Sequence, residues 1–460
     1  MRSWLFLAFL FLAVSFPVRA SEPEAMAAKL RDQALQSNVA YTLVESLTTE
    51  VGPRLVGSPA DAKAVTWGIE KLQSLGFENV HTEPVSFNAW VRGVETAEVL
   101  SPYPQRLVIT ALGGSVATPK NGLEADVVIF KSYDDLLKAA PGSLNGKIAM
   151  VTQRTVRVQD GSGYGYAGAI RRAGAVEAAK RGAVAYLIRS LGTSSHRFPH
   201  TGSMRYEESV TKIPAAAVSA PDAEQIERIA SRGKTIRLKL NITPKLAGPV
   251  TTYNVIGDIV GSEKAEEVVI IGGHLDSWDL GTGAIDDAAG VAITTAAGKM
   301  IIDSGLKPKR TIRVIMFAAE EVGLVGANEY VRANKLSIPN FVIGAESDFG
   351  AGPIYQFQTR VGSEVLPAMK RILDVLKPLG IIAGDNNAGG GPDIGPFVKE
   401  GMPAAELQQN GLDYFDYHHT PDDTLDKINP QHLSQNVAAY TVFAWMAANL
   451  DVNFRSTATK

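Results

Sequence analysis

"EVVIIGGHLDSWDLGTGAIDDAAG", residues 267–290, reads as two unlike sequences joined at a glycine pair. Its first half holds an unbroken apolar run, Val268 to Ile271, of β-branched residues. That is the pattern of a strand covered on both faces. Its second half carries His274 and four aspartates, Asp276, Asp279, Asp286 and Asp287, among glycines and small residues. Acidic side chains repel one another, and each loses hydration when buried. A strand that ends this way needs something to hold its carboxylates together, and a cation would do so.

The same pattern recurs downstream. "TIRVIMFAA" (311–319) ends at Glu320 and Glu321, and "FVIGA" (341–345) runs into Glu346 and Asp348. Helices are expected between these strands, over 286–304 and 323–335. Strands alternating with helices through short connections predict an open, mainly parallel α/β sheet. Such sheets bind ligands beyond the carboxyl ends of their strands. The loop "YFDYHHTPDD" (414–423) adds His418, His419, Asp422 and Asp423, ahead of a last helix that starts near Pro430. Zinc takes imidazole nitrogen and carboxylate oxygen, and two zincs can share a bridging carboxylate. "EE" or "HH" alone is common surface chemistry. The specific signal is the series His, Asp, Glu-Glu, Asp, His at the ends of successive elements.

Upstream, residues 22–50 and 60–75 read as helices and "ENVHTEPVSFNAWVRG" as extended chain. From 96 to 249 the character changes. Short apolar runs ("RLVITAL", "ADVVIF", "KIAMVT", "VAYLIR") alternate with turns and a few helices, with little acidic clustering. This is a smaller α/β block.

The chain has 460 residues, enough for two domains. A net charge of −3 and a pI near 6.2 exclude the basic footprint of nucleic-acid or anionic-membrane binding. There are no cysteines, so disulfides, thiol nucleophiles, thiolate zinc sites and lipoprotein anchors are excluded. "MRSWLFLAFLFLAVSFPVRA" has a positive start, an apolar stretch over 4–16 and small residues Val18 and Ala20. It reads as a signal peptide, residues 1–20, cleaved after Ala20. The expectation is an exported protein, periplasmic or secreted, with no membrane segment after cleavage.

At these motifs the chain resembles the two-zinc aminopeptidase/exopeptidase family, in its carboxypeptidase Q (plasma glutamate carboxypeptidase) branch. "GPRLVGS", "GAVEAAKRGAVAYLIRS", "PHTG", "GGHLDSWDLGTGAIDDAAG", "AAEEVGLVGA" and "ESDFG" look like that branch's segments, in its order. The resemblance implies a phosphorylase/hydrolase-like mixed, mainly parallel sheet with helices on both faces. It divides the mature catalytic domain into 21–95 and 250–460, with 96–249 as an inserted protease-associated-like domain roofing the site. It implies two zinc ions: His274 and Asp348 on one, Glu321 and His419 on the other, Asp286 bridging. Glu320 would be the general base for a metal-bound hydroxide. Asp276 and Asp423 resemble carboxylates that orient the ligands. A cis peptide is carried over to Asp286–Asp287, with the Asp287 carboxylate accepting N–H groups of the next helix. His418 is the physical alternative to His419, which the family's spacing to Asp423 selects. His200, near His196 in "SSHRFPHTG", and Asp393, in the glycine-rich loop 384–397, are assigned to the substrate pocket.

The expected activity is hydrolysis of dipeptides or small peptides, of carboxypeptidase or dipeptidase type. An aminopeptidase is the runner-up. A one-zinc glutaminyl cyclase-type transferase and a non-catalytic receptor-like relative fit less well, because all five ligands and the base are present. The expected partner is a small peptide substrate, and the resemblance suggests a homodimer.

Overall fold

The computed structural model describes residues 22–455. The expected signal peptide lies outside the described residues.

An eight-stranded mixed sheet forms the larger body. Across it the strands run Glu78–Val91, Lys245–Ile259, Arg310–Phe317, Lys264–His274, Phe341–Glu346, Ala404–Gln409, Ile354–Arg360 and Ile382–Ala383. The four strands from Arg310–Phe317 to Ala404–Gln409 are parallel to one another; Lys245–Ile259 and Ile354–Arg360 pair antiparallel on either side of them, Glu78–Val91 pairs antiparallel with the former and Ile382–Ala383 parallel with the latter. The alternation of Cβ directions explains the unbroken apolar run at the centre. Val269 and Ile271 pack into one core with helices Ala289–Asp303 and Pro430–Asn449. Val268 and Ile270 pack into another with helix Val325–Ala333. Both faces are buried, so both kinds of position must be apolar.

The expected helices at 286–304, 323–335 and from 430 are present as Ala289–Asp303, Val325–Ala333 and Pro430–Asn449. The single helix expected over 22–50 is two, Glu22–Ala34 and Val39–Ser46, followed by a π-helical turn Leu47–Val51.

The extended segment is a strand, Glu78–Val91, paired along its length with Lys245–Ile259 from Glu78↔Asp258 to Val91↔Lys245. This ribbon carries the chain out to a second eight-stranded sheet, built between Glu95 and Ile242, and back. The expected 249/250 division falls inside the returning strand. "RLVITAL" is two short strands, Gln105–Leu107 and Ile109–Ala111, which form opposite edges of this sheet. Only Val108 separates them, so the sheet curls until its two edges meet there. Helix Ser162–Lys180 leads through Gly182 (φ +92°) into strand Ala185–Arg189.

Candidate metal centre and cleft

The first side chain of the site stands where the central strand ends. His274 is its last residue and is fully buried. Its Nδ1 lies 2.9 Å from the backbone oxygen of Asp276, which directs Nε2 outward. That Nε2 lies 3.2 Å from Asp286 Oδ1 and 3.5 Å from Asp348 Oδ1. The neighbouring strand Arg310–Phe317 continues to Ala319, whose positive φ of 56° turns the chain sharply at Glu320 and Glu321. Glu321 Oε2 lies 2.9 Å from His419 Nε2 and accepts a 2.6 Å hydrogen bond from the Trp278 indole.

His419 also has a positive φ, 59°, in the left-handed region that a β-carbon disfavours. Its Nε2 lies 3.1 Å from Asp286 Oδ2. His418 Nε2 is 3.3 Å from the same oxygen, with the two rings stacked 3.5 Å apart, but only His419 also meets Glu321. Asp286 thus turns one oxygen to each side: Oδ1 to His274 and Asp348's neighbourhood, Oδ2 to His419.

The loop between strand and helix is held from two directions. The buried Arg54 guanidinium donates to the carbonyls of Leu275, Thr282 and Gly283. From the second sheet's side, Arg92 forms a bidentate pair with Asp279. The Asp286–Asp287 peptide is cis. Asp287 Oδ1 accepts Gly290 N–H at 2.9 Å and Oδ2 accepts His274 N–H at 3.0 Å, so its carboxylate is already engaged.

Asp276 stands beside the His274 ring, whereas Asp423 sits elsewhere than the imidazole-orienting reading places it. The Asp276 carboxylate accepts the N–H groups of Glu320 (3.0 Å) and Glu321 (3.3 Å), and it also stands 3.7 Å from His274 Nδ1, beside the backbone oxygen that meets the ring at 2.9 Å. Asp423 Oδ1 accepts Ile285 N–H at 2.7 Å and so positions the residue before Asp286, not His419. Neither His200 nor Asp393 is a pocket-lining residue: both are fully buried. His200 packs behind His419 at 4.9 Å between ring centres, its Nε2 beside the Tyr164 hydroxyl. Asp393 lies behind the site, where its N–H donates to Glu346. His196 stays at the surface, 4.0 Å from Asp422.

Sequence reasoning missed Trp278, Tyr164 and Arg171. Trp278 stands in the middle of the opening motif, and its spacing from Glu321 carries no local signal. Arg171 Nη1 donates to the Tyr164 hydroxyl and the Thr201 carbonyl and lies 3.3 Å from His419 Nδ1. These come from the second sheet's side, as do Arg172, Ser203 and Arg205 on the wall of the cleft. The cleft has a volume of about 480 Å³ and reaches Asp286, Glu320, Glu321, Asp348 and His419.

The electrostatics of the site suit a cation. Burial opposes charge on His419, but the Glu321 and Asp286 carboxylates win and raise it to about 9. Burial lifts Glu321 to about 7 against the pull of His419, and lifts Glu320 well above its ordinary value. Among the described residues no well-directed hydrogen bond reaches buried Asp286 Oδ2 or Glu321 Oε1, for all the closeness of His419 Nε2 to the former. Such acceptors are costly to leave unsatisfied. His274, Asp286 and Glu321 offer ligand atoms within 4.8 Å of one another. Nitrogen and carboxylate oxygen converging in a buried cluster is the donor set of zinc.

Residues 254–444 match the model of Peptidase family M28. Carboxypeptidase Q of Mus musculus is 37% identical over 414 residues, covering 90% of this chain and 86% of the relative. Aminopeptidase YwaD of Bacillus subtilis (strain 168) is 22% identical over 435 residues, covering 91% of this chain and 87% of the relative. Among solved structures, a peptidase M28 precursor from Shewanella amazonensis SB2B superimposes with a TM-score of 0.94 at 53% identity, covering 95% of this chain and 99% of that one. A zinc aminopeptidase from Bacillus subtilis shares the fold, with a TM-score of 0.64 at 18% identity, covering 90% of this chain and 95% of that one.

Proposed function

The chain belongs to peptidase family M28 and is a metallopeptidase, and from that premise we propose that it is an exported two-zinc exopeptidase of dipeptides and small peptides, of carboxypeptidase or dipeptidase type. The carrying observation is Asp286, whose two oxygens face two different histidines, His274 at 3.2 Å and His419 at 3.1 Å. In this reading His274 and Asp348 would hold one zinc, Glu321 and His419 the other, and Asp286 would serve both. When bound, the metal pair supplies Lewis acidity and lowers the pKa of water toward neutrality.

The protein's own groups then do the rest. Glu320 takes the proton of the attacking water and returns it to the leaving amine. Its backbone N–H is held by Asp276, so the base keeps its place, and among the described residues its side chain makes no hydrogen bond or ion pair. Asp423 and Arg54 fix the loop that presents Asp286. We assign residues 21–95 and 250–460 to the catalytic domain and 96–249 to an inserted protease-associated-like domain that roofs the cleft with Tyr164, Arg171 and Ser203.

Similarity to carboxypeptidase Q at 37% identity favours the carboxypeptidase type over the aminopeptidase type, whose relatives are 22% and 25% identical. A dipeptide panel, each member compared with its N-acetylated and C-amidated forms, tests the choice. Loss of cleavage on C-amidation supports the carboxypeptidase reading. Loss on N-acetylation with tolerance of the amide overturns it.

A further inference from the structure

Three arginines reach the cleft from the side of the second sheet. Arg171 is buried and bonded to Tyr164 and Thr201. Arg172 and Arg205 differ from it. Both are exposed, and both line the cleft that contains Asp286, Glu320, Glu321 and Asp348. Among the described residues neither guanidinium has a hydrogen-bond or ion-pair partner. Their backbones are tied together, Arg205 N–H donating to the Arg172 carbonyl at 3.1 Å, so the two side chains leave neighbouring points of the rim; Arg172 Nη1 lies 2.5 Å from where a β-carbon on Gly168 would stand. Arg205 reaches toward the loop after the glutamates. Its Nη2 lies 3.2 Å from where a β-carbon on Gly323 would stand.

We propose that Arg172 and Arg205 form a subsite that binds a carboxylate of the peptide substrate. This rests on the peptidase reading above and adds the substrate group that the roof of the cleft recognises. Guanidinium presents planar, paired donors that match a carboxylate's two oxygens. The cleft's own carboxylates do not serve: Asp286, Asp348 and Glu321 are turned to the histidines, and among the described residues Glu320 pairs with neither guanidinium. Burial, then the like charge of Arg171, holds the Arg172 guanidinium below its usual value, with Arg205 acting in the same direction. An anion beside Arg172 offsets the like charge of both neighbouring arginines. Two carboxylates of a short peptide can reach it: the C-terminal one and an acidic side chain.

The test is steady-state kinetics of the zinc-loaded full protein and of R172Q, R205Q and the double variant. The substrates are Ala-Ala, Ala-Ala-amide, Ala-Glu and Ala-Gln. Zinc content and the unfolding midpoint serve as fold checks. In the wild type, a charge-assisted pair should favour the carboxylate-bearing partner by about 10–100-fold in kcat/KM, mostly through KM. In the double variant that preference should fall to near unity. Collapse of the Ala-Ala over Ala-Ala-amide ratio identifies the C-terminal carboxylate, and collapse of the Ala-Glu over Ala-Gln ratio identifies the side chain. If neither ratio changes in the double variant, the subsite does not exist. Calorimetric binding of the uncleavable reduced-amide isostere of Ala-Glu separates the two layers. If no peptide is cleaved, the peptidase reading falls. The subsite then stands or falls by whether isostere binding weakens in the double variant.

Discussion

The indole Nε1 of Trp278 donates to Glu321 Oε2 at 2.6 Å, and this bond joins the loop after the central strand to the end of its neighbour. Trp278 is held in turn by an edge-on contact with Trp90 and by Gly113, where a β-carbon would lie 2.0 Å from the indole ring. A ligand's orientation depends on such neighbours. Trp278→Phe keeps the packing and removes the N–H. It should weaken zinc binding by about 10–100-fold, the usual span for loss of an outer-shell partner. Competition with a chelating dye measures this, and unchanged affinity would remove Trp278 from the site.

Asp286→Ala removes an oxygen from each side of the site at once. Purified wild type should hold close to two zinc ions per chain, and the variant should lose both. Chelation should abolish hydrolysis and lower the unfolding midpoint, because an ion that binds only the folded state stabilises it. Elemental analysis decides the point: full zinc in the Asp286→Ala protein contradicts the bridging role.

Glu320 and Glu321 are adjacent but should respond differently. Glu320→Gln should retain zinc while kcat falls by about 10²–10⁴, the span expected for a lost general base. Glu321→Gln should lose metal affinity first. Exchange of the two phenotypes would reverse the assignment.

Gly290 lies where the helix start meets the end of strand Phe341–Glu346. A β-carbon there would stand 1.8 Å from the Ser347 carbonyl oxygen and 2.4 Å from the Asp287 carboxylate. Neither backbone can yield without moving the loop that carries Asp286. Gly290→Ala should cost about 2–4 kcal/mol, read as a lower denaturant midpoint at unchanged slope. Wild-type stability would show that this close approach is dispensable.

Asp61 carries a pH dependence whose sign follows from its surroundings. Burial raises its carboxyl from 3.8 to about 6, although the Gly57 N–H and the Thr252 hydroxyl both favour the charged form. Below the unfolded value it is protonated in both states. Between the two values only the folded state keeps the proton, so its contribution to stability falls as pH rises from about 4 to 6. Asp61→Asn can still accept from Gly57 and donate to Thr252. In metal-free protein the variant should gain about 1–3 kcal/mol on wild type between pH 4 and pH 7. Urea titrations at the two pH values check it, and parallel stabilities would refute the raised value.

Local physics explains what could be read from residues alone. Apolar runs longer than alternation allows mark strands buried on both faces, and acids placed after such runs lie at the edge where open sheets bind ligands. His274, Glu320, Glu321, Asp348 and the 418–419 pair were therefore legible as the furnishings of one edge, and the helices between them by their periodicity. Which atoms meet was not legible. His274, Asp286, Glu321 and His419 converge only because the strand order sets Arg310–Phe317 and Phe341–Glu346 on either side of Lys264–His274. Hydrogen bonds are directional, so Asp276 serves the glutamates' backbone as well as the His274 ring, and Asp423 serves Ile285 although sequence spacing links it to a histidine. Arg171, Arg172 and Arg205 enter the site across an interface between two sheets, and no period in a sequence reports a contact of that kind. Burial decides the rest: His200 and Asp393, polar in composition, lie beneath the wall of the cleft because the chains around them close over both.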